Sequence, residues 1–278
     1  YHDFENYLLI GTDATGNNNN GADYQGSMAD FLMLVIVDKT ENTYSFLQFN
    51  RDTMTEVALI DHNGEGEATA NIQLCTAHWY GGNREQSCEN TVKSVKKLLG
   101  GIQIDGYYEL NMSEIPKLNN MVDGVTVTLE DDFSKKYPKM KKGATINLDD
   151  EQAYAYVHDR YGVGNEENTS RMKRQQQYMT GFFKKLQEKV KANLNYANEV
   201  FESLQDVSTT DITIGKISNI SNIFASGTDK GIFELAGKSK IGQALGDEID
   251  HMEFYVNKKA MVSTMSELFG IVEQKNKE

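Results

Sequence analysis

Two acidic residues and an arginine that a predicted hairpin brings together are the first candidates for chemistry in this sequence. An apolar run at 31–37 and an alternating segment at 44–49, joined by a polar turn, predict two antiparallel strands. With the turn centred in the polar segment, residue i faces residue 81 − i, so Asp30 lies opposite Arg51, with Asp52 beside it. Charge at the end of a buried hairpin is costly unless a ligand, a metal or mutual pairing satisfies it. The alternative is an ordinary salt bridge at the protein rim.

Arginine is scarce in this chain, which makes its placement informative. There are five arginines against 23 lysines, and four of the five fall at Arg51 and between Arg160 and Arg174. The planar guanidinium group suits bidentate recognition of phosphate or carboxylate, whereas lysine serves general solubility. The clustering therefore predicts an anion site.

A long predicted helix carries part of this anion site. Ser170 is expected to cap it, and the spacing i, i+3, i+4 and i+7 places four polar residues on one face, namely Arg171, Arg174, Gln175 and Tyr178. Positive side chains oppose the dipole at a helix N-terminus, and a bound anion would resolve that conflict. The alternatives are a solvated basic face and pairing with Glu166 and Glu167.

Two further segments place polar side chains after regular elements. Asp13 directly follows the apolar strand YLLI, and ligands bind beyond the carboxyl ends of strands in open α/β sheets. The segment Leu148–Val157 predicts a helix that opens on acidic residues and delivers His158 and Arg160 into the following loop.

Composition limits the classes of partner. The net charge of −13 and the pI near 4.9 argue against nucleic acid and against anionic membrane surfaces. No apolar stretch reaches the length of a transmembrane helix.

The two cysteines leave three possibilities open. Cys75 and Cys88 could form a disulfide worth about 3 kcal/mol in an oxidising compartment. With His78, and with His62 as a further candidate, they could ligate zinc, although the spacing is irregular. They could also be two independent buried thiols.

Strand patterns alternate with helix patterns along most of the chain, which predicts an α/β fold. We expect a three-layer α/β/α sandwich around a mixed central β-sheet. No internal repeat or linker is evident, so we predict a single domain over residues 1–278. Its core would span about 7–190, and residues 191–278 would form a C-terminal helical extension packed on that core.

A set of ordered motifs resembles the LytR-CpsA-Psr family of cell-envelope proteins from about Tyr7 to Val190. The carriers of the resemblance are LLIGTD, SMAD, NRDT, AHWYGG, IDGYYELN followed by VDGVTVTL, QAYAYVHDR and SRMKRQQQYM. None is decisive alone, but their order and spacing together are specific.

The resemblance implies an extracytoplasmic phosphotransferase. Members of this family are held on the extracellular face of the bacterial cytoplasmic membrane by an N-terminal transmembrane helix, which we expect to precede Tyr1. They have an α/β/α core and bind polyprenyl phosphates or pyrophosphates. They transfer the linked glycopolymer onto peptidoglycan, with Mg²⁺ as cofactor.

The same resemblance assigns roles to individual residues. Asp13 and Asp30 would bind the metal, and Asp30, Arg51 and Asp52 would form the catalytic group, with Asp52 positioning Arg51. The residues expected to bind phosphate are Arg51, His158, Arg160, Arg171, Arg174 and Gln175.

Three departures from the family pattern leave a second function open. Met28 stands where the family has an arginine, His158 replaces the first arginine of an Arg-x-Arg pair, and Asn168 replaces a frequent acidic residue. The alternative to a transferase is therefore a non-catalytic protein that binds polyprenyl phosphate or a wall polymer as a scaffold or sensor. A nucleic-acid-binding role, suggested only by the family's name, conflicts with the acidic charge.

Overall fold

Two compact units make up the chain. The structure is a computed structural model that describes residues 3–13, 24–66 and 68–270. The first unit comprises Tyr1–Leu110, Ser208–Ile212 and Gly227–Glu278, and the second comprises Asn111–Val207 and Thr213–Ser226. The single domain predicted over 1–278 stays a prediction.

Helices and strands alternate over much of both units. Besides two 3₁₀ helices at Leu74–His78 and Met112–Glu114, the elements in chain order are β1 (Phe4–Thr12), β2 (Ala29–Asp38), β3 (Thr43–Gln48), β4 (Met54–Ala58), β5 (Thr69–Gln73), α1 (Arg84–Leu98), β6 (Gly106–Asn111), α2 (Ile115–Met121), β7 (Thr126–Thr128), β8 (Thr145–Asn147), α3 (Asp150–His158), α4 (Asn168–Ala192), α5 (Tyr196–Ser203), β9 (Ser208–Thr210), α6 (Ile214–Ser226), β10 (Thr228–Glu234), β11 (Gly237–Gly242), β12 (His251–Val256) and α7 (Lys258–Phe269). The central sheet has six strands in the order β10-β3-β2-β1-β6-β9. β10 runs parallel to β3, whereas β1 with β2, β2 with β3 and β6 with β9 are antiparallel. The predicted α/β class with a mixed central sheet is confirmed.

The hairpin of β2 and β3 has the predicted register. Met33 pairs with Gln48 and Asp38 pairs with Thr43, so the paired residue numbers sum to 81 throughout. The carboxylate of Asp38 accepts the backbone N–H groups of the next turn, and Asn42 takes the left-handed conformation at φ 51°. The turn chemistry therefore fixes which residues meet at the far end of the hairpin.

Both faces of the central sheet are buried at β2 and β3. On one face, Leu34 belongs to a core cluster with Val95 of α1 and Leu268 of α7. On the other face, Met33 and Phe46 are also buried. A strand buried on both faces reads as a continuous apolar run, which is how β2 appears in the sequence.

The second unit has its own core, built from α2, α3, α4 and the β7–β8 hairpin. A capping box starts α3: Asp149 accepts the N–H of Gln152, whose side chain accepts the N–H of Asp149. The predicted helix is confirmed, with its start moved to Asp150. The predicted cap of α4 is wrong, because the helix begins at Asn168 and the Ser170 hydroxyl donates to the Asn165 side chain.

The C-terminal third contains more strands than predicted, since the sequence indicated helices and one edge strand at 254–256. It contains α5, α6 and α7, but also four strands, and two of them, β9 and β10, are the outer strands of the central sheet. The sequence TDKGIFE of β10 is too short and too polar for its alternation to stand out, so only pairing with β3 identifies it. No helix in the described part of the chain is long and apolar enough to cross a membrane.

Candidate functional site

Asp30 occupies a bulge beside the end of β1. Gly11 pairs with Phe31, but the next residue, Thr12, pairs with Ala29, so β2 contains one extra residue at this point. A bulge bends its strand and changes the direction of the side chain, and bulges are common next to active sites. The register shift therefore places the Asp30 carboxylate at the end of β1.

Asp13, the residue after β1, lies close to this bulge. Carboxylate oxygens of Asp13 and Asp30 lie within 4.8 Å of each other. Asp30 is buried and Asp13 is half-buried. Two carboxylates at this spacing repel each other and favour a nearby cation, and oxygen ligands are those that Mg²⁺ prefers. The donor set therefore fits the predicted magnesium ion.

Arg51 contacts both neighbouring aspartates. Its Nη1 donates to Oδ1 of Asp30, and its Nε lies 3.8 Å from Oδ1 of Asp52. The side chains of Arg51 and Asp30 are only 17% and 7% exposed, so this pair is not a rim salt bridge. Burial alone would lower the pKa of Arg51, but Cys75, Asp30 and Asp52 outweigh it, and the pKa lies above its usual value. Asp30, Arg51 and Asp52 meet as the hairpin register predicts.

Met28 makes a contact that bears on the family pattern. Nη2 of Arg51 lies 3.1 Å from Sδ of Met28. A thioether is a weak acceptor without charge, so it orients the guanidinium group without adding a phosphate ligand. The position at which the family has an arginine therefore supports Arg51 in this chain.

Backbone hydrogen bonds hold the Arg51–Asp52 turn from two sides. The N–H of Cys75 donates to the carbonyl of Arg51 at 2.9 Å, and the N–H of Phe254 in β12 donates to that of Asp52 at 2.8 Å. Oδ1 of Asn50 accepts the N–H of Asp52 at 2.9 Å. The turn is thus held by the 3₁₀ helix at 74–78 and by β12.

In the second unit, the polar face predicted for α4 is buried. At most 4% of any of its members is exposed, the four being Arg171, Arg174, Gln175 and Tyr178. The predicted shared face is confirmed, and the alternative of a solvated basic face is wrong.

Arg174 is committed to contacts within the protein. Its two Nη atoms donate to the carbonyls of Tyr156 and Asp159, each at 2.7 Å, and its Nε lies 3.2 Å from Oδ2 of Asp131. These carbonyls belong to the C-terminal end of α3, where positive charge is favourable. Burial lowers the pKa of Arg174, and Asp131 partly offsets this effect. The guanidinium group therefore joins α3 to α4.

Arg171 and Gln175 lie in the first two turns of α4. Nη2 of Arg171 donates to Oδ1 of Asn168 at 2.9 Å, and Nε2 of Gln175 donates to the carbonyl of Val157 at 3.1 Å. The N-cap residue, Glu167, makes no side-chain capping hydrogen bond. The first N–H groups of a helix need such a partner or a ligand.

His158 and Arg160 lie at the end of α3 and in the loop that follows. The His158 ring stacks on Tyr154, with centroids 4.7 Å apart, and its Nδ1 lies 3.4 Å from Oδ1 of Asp159. The hydrogen bond from His158 lowers the pKa of Asp159. Arg160 donates to the hydroxyl of Tyr161 and stacks on its ring at 4.6 Å. Tyr161 is 76% exposed, and Arg160 itself is half-buried.

The predicted site residues therefore form two groups, one in each unit. Asp13, Asp30, Arg51 and Asp52 lie in the first unit. The residues of the second unit, all in α3, α4 or the loop between them, are His158, Arg160, Arg171, Arg174 and Gln175.

The cysteines are two separate buried thiols, so the disulfide is not formed. Sγ of Cys88 lies 3.7 Å from Nε2 of His78, whose Nδ1 lies 3.0 Å from the carbonyl oxygen of Ser27. Burial raises the pKa of Cys88 well above its usual value and lowers that of His78. Within residues 3–13, 24–66 and 68–270, neither cysteine belongs to a group of three close potential metal ligands.

Sequence reasoning missed three polar residues beside Asp13. Oγ1 of Thr12 donates to Oε1 of Glu109 at 2.6 Å, and Nη2 of Arg84 donates to Oε2 of the same carboxylate at 2.5 Å. One signal was available, because Arg84 is the one arginine outside the two clustered segments. The acidic residue in the strand IDGYYEL was a second signal.

Known proteins similar to this chain share its sequence pattern and its fold. The chain is 28% identical over 178 residues to the polyisoprenyl-teichoic acid--peptidoglycan teichoic acid transferase TagU of Bacillus cereus (strain AH820). That match covers 64% of this chain and only 51% of the relative, so it spans about half of TagU.

Two solved structures show the same fold. Protein gbs0355 from Streptococcus agalactiae superposes with a TM-score of 0.74 at 20% identity, covering 96% of this chain and 86% of that protein. TagT, in a structure bound to LI-WTA, gives a TM-score of 0.69 at 21% identity, covering 96% of this chain and 89% of that protein. The model of the LytR_cpsA_psr family matches residues 1–269. This chain therefore belongs to the LytR_cpsA_psr family.

Proposed function

We propose that this chain is a phosphotransferase that moves a glycopolymer from a polyprenyl-pyrophosphate carrier onto peptidoglycan. The observation that carries the proposal is the bulge at Asp30, which brings two carboxylates within 4.8 Å and pairs one of them with the half-buried Arg51. Close carboxylates with an adjacent guanidinium group suit a cation and a phosphate together. The name of TagU, a teichoic acid transferase, supports the same reaction class.

The reaction requires attack by a sugar hydroxyl on phosphorus. The acceptor oxygen forms a bond to the phosphorus that carries the glycopolymer, and the bond from this phosphorus to the bridging oxygen of the pyrophosphate breaks. Polyprenyl phosphate leaves, the glycopolymer becomes joined to peptidoglycan through a phosphodiester, and the hydroxyl proton passes to solvent or a base. Negative charge develops on the leaving phosphate, and a guanidinium group fixed in advance stabilises it.

The first unit carries the residues that we propose to bind the metal and to contact the reacting phosphate. Asp13 and Asp30 would hold Mg²⁺, which when bound would neutralise phosphate charge. Arg51 would contact a phosphate oxygen, and its contacts to Asp30 and Met28 orient it beforehand. Asp52 positions Arg51, since its turn is held by β12 and by the 3₁₀ helix at 74–78.

The second unit carries its own group of residues that we propose to bind phosphate. Arg171 and Gln175 lie at the N-terminal end of α4, where helix N–H groups favour anions. His158 and Arg160 extend this group, and His158 carries charge only when protonated. Arg174 acts by holding α3 and α4 together, because its donors are already bonded to backbone carbonyls.

The proposed reaction places the protein outside the cell. Both the polyprenyl carrier and peptidoglycan are found at the outer face of the bacterial cytoplasmic membrane. We propose that the protein is anchored there, as the family resemblance implies. The net charge of −13 agrees with partners other than nucleic acid.

One observation favours the alternative of a non-catalytic binding protein. The uncharged Met28 contacts Arg51 at the position where the family has an arginine, and this lowers the positive charge beside the phosphate. A protein that binds polyprenyl phosphate or a wall polymer would need less charge than an enzyme that stabilises a transition state.

A transfer assay with a matched binding measurement tests the proposal. Purified protein is incubated with a polyprenyl-pyrophosphate-linked glycopolymer and peptidoglycan, with and without Mg²⁺, and native mass spectrometry measures lipid binding separately. We expect Mg²⁺-dependent transfer, its loss in Asp13→Asn, and weaker lipid binding in Arg171→Ala. Lys184→Ala, a change in the exposed part of α4, serves as the control.

The two candidate functions predict different outcomes. Lipid binding without transfer would support the non-catalytic protein, and Met28→Arg would then be expected to restore some transfer. Transfer that is unchanged in Asp13→Asn and in Arg51→Ala would refute the proposed site.

A further inference from the structure

A chain of three polar side chains in the first unit, two of them fully buried and Arg84 half-buried, ends at the residue next to Asp13. Glu109 of β6 is only 1% exposed. One of its carboxylate oxygens accepts a hydrogen bond from the Arg84 guanidinium group at 2.5 Å, and the other accepts one from the hydroxyl of Thr12 at 2.6 Å. Thr12 is itself 1% exposed. Both oxygens of a fully buried carboxylate are thus used to fix a single residue of β1 to the start of α1.

This arrangement is poorly explained by stability alone. Burying an ion pair costs desolvation, and replacing such a pair with apolar residues of similar volume is often neutral or stabilising. Its clearer effect is on position. The Arg84 guanidinium group fixes the position of the Glu109 carboxylate, and this carboxylate fixes the position of the Thr12 hydroxyl. Arg84 is the first residue of α1, so the Glu109 carboxylate is held by a residue of a helix rather than of a loop.

Thr12 is the last residue of β1 and lies at the register shift of the sheet. It pairs with Ala29 just before the bulge at Asp30, and Asp13 follows it directly. Any rotation of the β1 end about Thr12 changes the separation of the two carboxylates. Small errors in ligand placement weaken metal sites strongly, and groups behind the ligands typically change metal affinity by about 10- to 100-fold.

We infer that Glu109, held by Arg84, is a positioning residue that fixes Thr12 and thereby sets the separation of Asp13 from Asp30. The inference rests on the proposed function for the assignment of Asp13 to the metal. Thr12 and Glu109 lie within the motifs LLIGTD and IDGYYELN, but the family resemblance assigns neither residue a role. Arg84 lies outside those motifs, and the inference gives it a function at the same site.

Isosteric substitutions at Thr12 separate position from packing. Thr12→Val keeps the shape but removes the hydroxyl, and Thr12→Ser keeps the hydroxyl. Thr91→Val is the matched control, because Thr91 is a fully buried threonine of the same unit whose hydroxyl donates to the Ser87 carbonyl at 2.9 Å. The probe is Mn²⁺ as a substitute for Mg²⁺, with free Mn²⁺ followed by electron paramagnetic resonance.

We expect Thr12→Val to weaken Mn²⁺ binding by about tenfold, while Thr12→Ser and Thr91→Val stay within about twofold of wild type. Glu109→Gln is expected to be intermediate, because its amide oxygen still accepts from Thr12 although the ion pair is lost. Equal affinity of Thr12→Val and wild type would overturn the inference, and so would equal losses in Thr12→Val and Thr91→Val.

Amide hydrogen exchange makes the inference testable without a metal. In Thr12→Val, exchange is expected to rise at residues 11–13 and to stay unchanged at the start of β1. A uniform rise along β1 would mean a general loss of stability and would overturn the positioning role. If wild type shows no saturable Mn²⁺ binding, or if Asp13→Asn binds equally well, the metal assignment of the proposed function fails, and the exchange pattern then decides the inference.

Discussion

Replacing Arg51 by methionine tests the centre of the candidate site. The Arg51 and Asp30 side chains are 17% and 7% exposed, so the substitution leaves a buried carboxylate without its counter-charge. Removing one partner of a buried ion pair typically costs about 3–5 kcal/mol, and the partial exposure of Arg51 places the expected loss at about 3 kcal/mol. Asp13 adds to the cost, because its carboxylate lies within 4.8 Å of that of Asp30.

The assay is urea unfolding followed by tryptophan fluorescence. The chain has a single tryptophan, Trp79, which lies in the same unit as Arg51. The control is Lys97→Met, which breaks a surface ion pair with Glu56. The side chains of Lys97 and Glu56 are 64% and 48% exposed. Exposed pairs contribute about 0–1 kcal/mol, so this variant is expected to unfold close to wild type.

Added Mg²⁺ gives the experiment a second arm. A cation bound by Asp13 and Asp30 would replace part of the lost positive charge, so Mg²⁺ is expected to stabilise Arg51→Met more than wild type. At ten times its dissociation constant, a ligand of the native state adds about 1.4 kcal/mol. A loss below about 1 kcal/mol in Arg51→Met, equal to that of Lys97→Met, would refute the buried pair. Equal Mg²⁺ stabilisation of both proteins would refute the electrostatic link to the metal.

Three other variants test the surroundings of the site. Burial lowers the pKa of His78 below its usual value of 6.5, so the unfolded chain binds a proton at this residue more readily than the folded chain. The free energy of unfolding should therefore decrease as the pH falls below 6.5. Urea titrations at several pH values should show that this free energy depends less on pH in His78→Gln. In Gly26→Ala the new Cβ would lie 2.5 Å from the carbonyl oxygens of His78 and Trp79. We therefore expect the free energy of unfolding in urea to fall by about 1–3 kcal/mol. The control Gly215→Ala, whose new Cβ meets no close neighbour, should show no such fall. Arg174→Met should destabilise the second unit by about 3 kcal/mol in thermal unfolding followed by circular dichroism. Arg174→Lys should be destabilised as well, because one ammonium group lacks the planar guanidinium fork that donates to two carbonyls. Wild-type stability in the lysine variant would contradict this account.

Local patterns in the sequence were sufficient for the main elements of the site. The pairing of Met33 with Gln48 follows from an apolar run, a polar turn and an alternating strand. That register predicted the contact between Asp30 and Arg51, because a hairpin turn fixes every pair along its strands. The shared face of α4 likewise followed from helical spacing at Arg171 and Gln175, whereas its burial did not.

Side-chain commitments could not be predicted in this way. Arg171 and Arg174 have the same chemistry and lie on the same helix face, yet Arg174 is bonded to backbone carbonyls at the end of α3. Which carbonyl lies beside a guanidinium group depends on how two helices pack. The sequence spacing of either helix does not contain that information.

The amino-acid sequence by itself determined the α/β class, the hairpin register and the residue types of the proposed anion and metal site, because these depend on local periodicity and turn chemistry. Only the tertiary structure decided that Asp30 is the extra residue of a bulge, that β10 pairs with β3, and that Glu109 joins Arg84 to Thr12. Each of these depends on pairing between segments far apart in the chain. Such pairing is set by packing of the whole core, which no short window of sequence records.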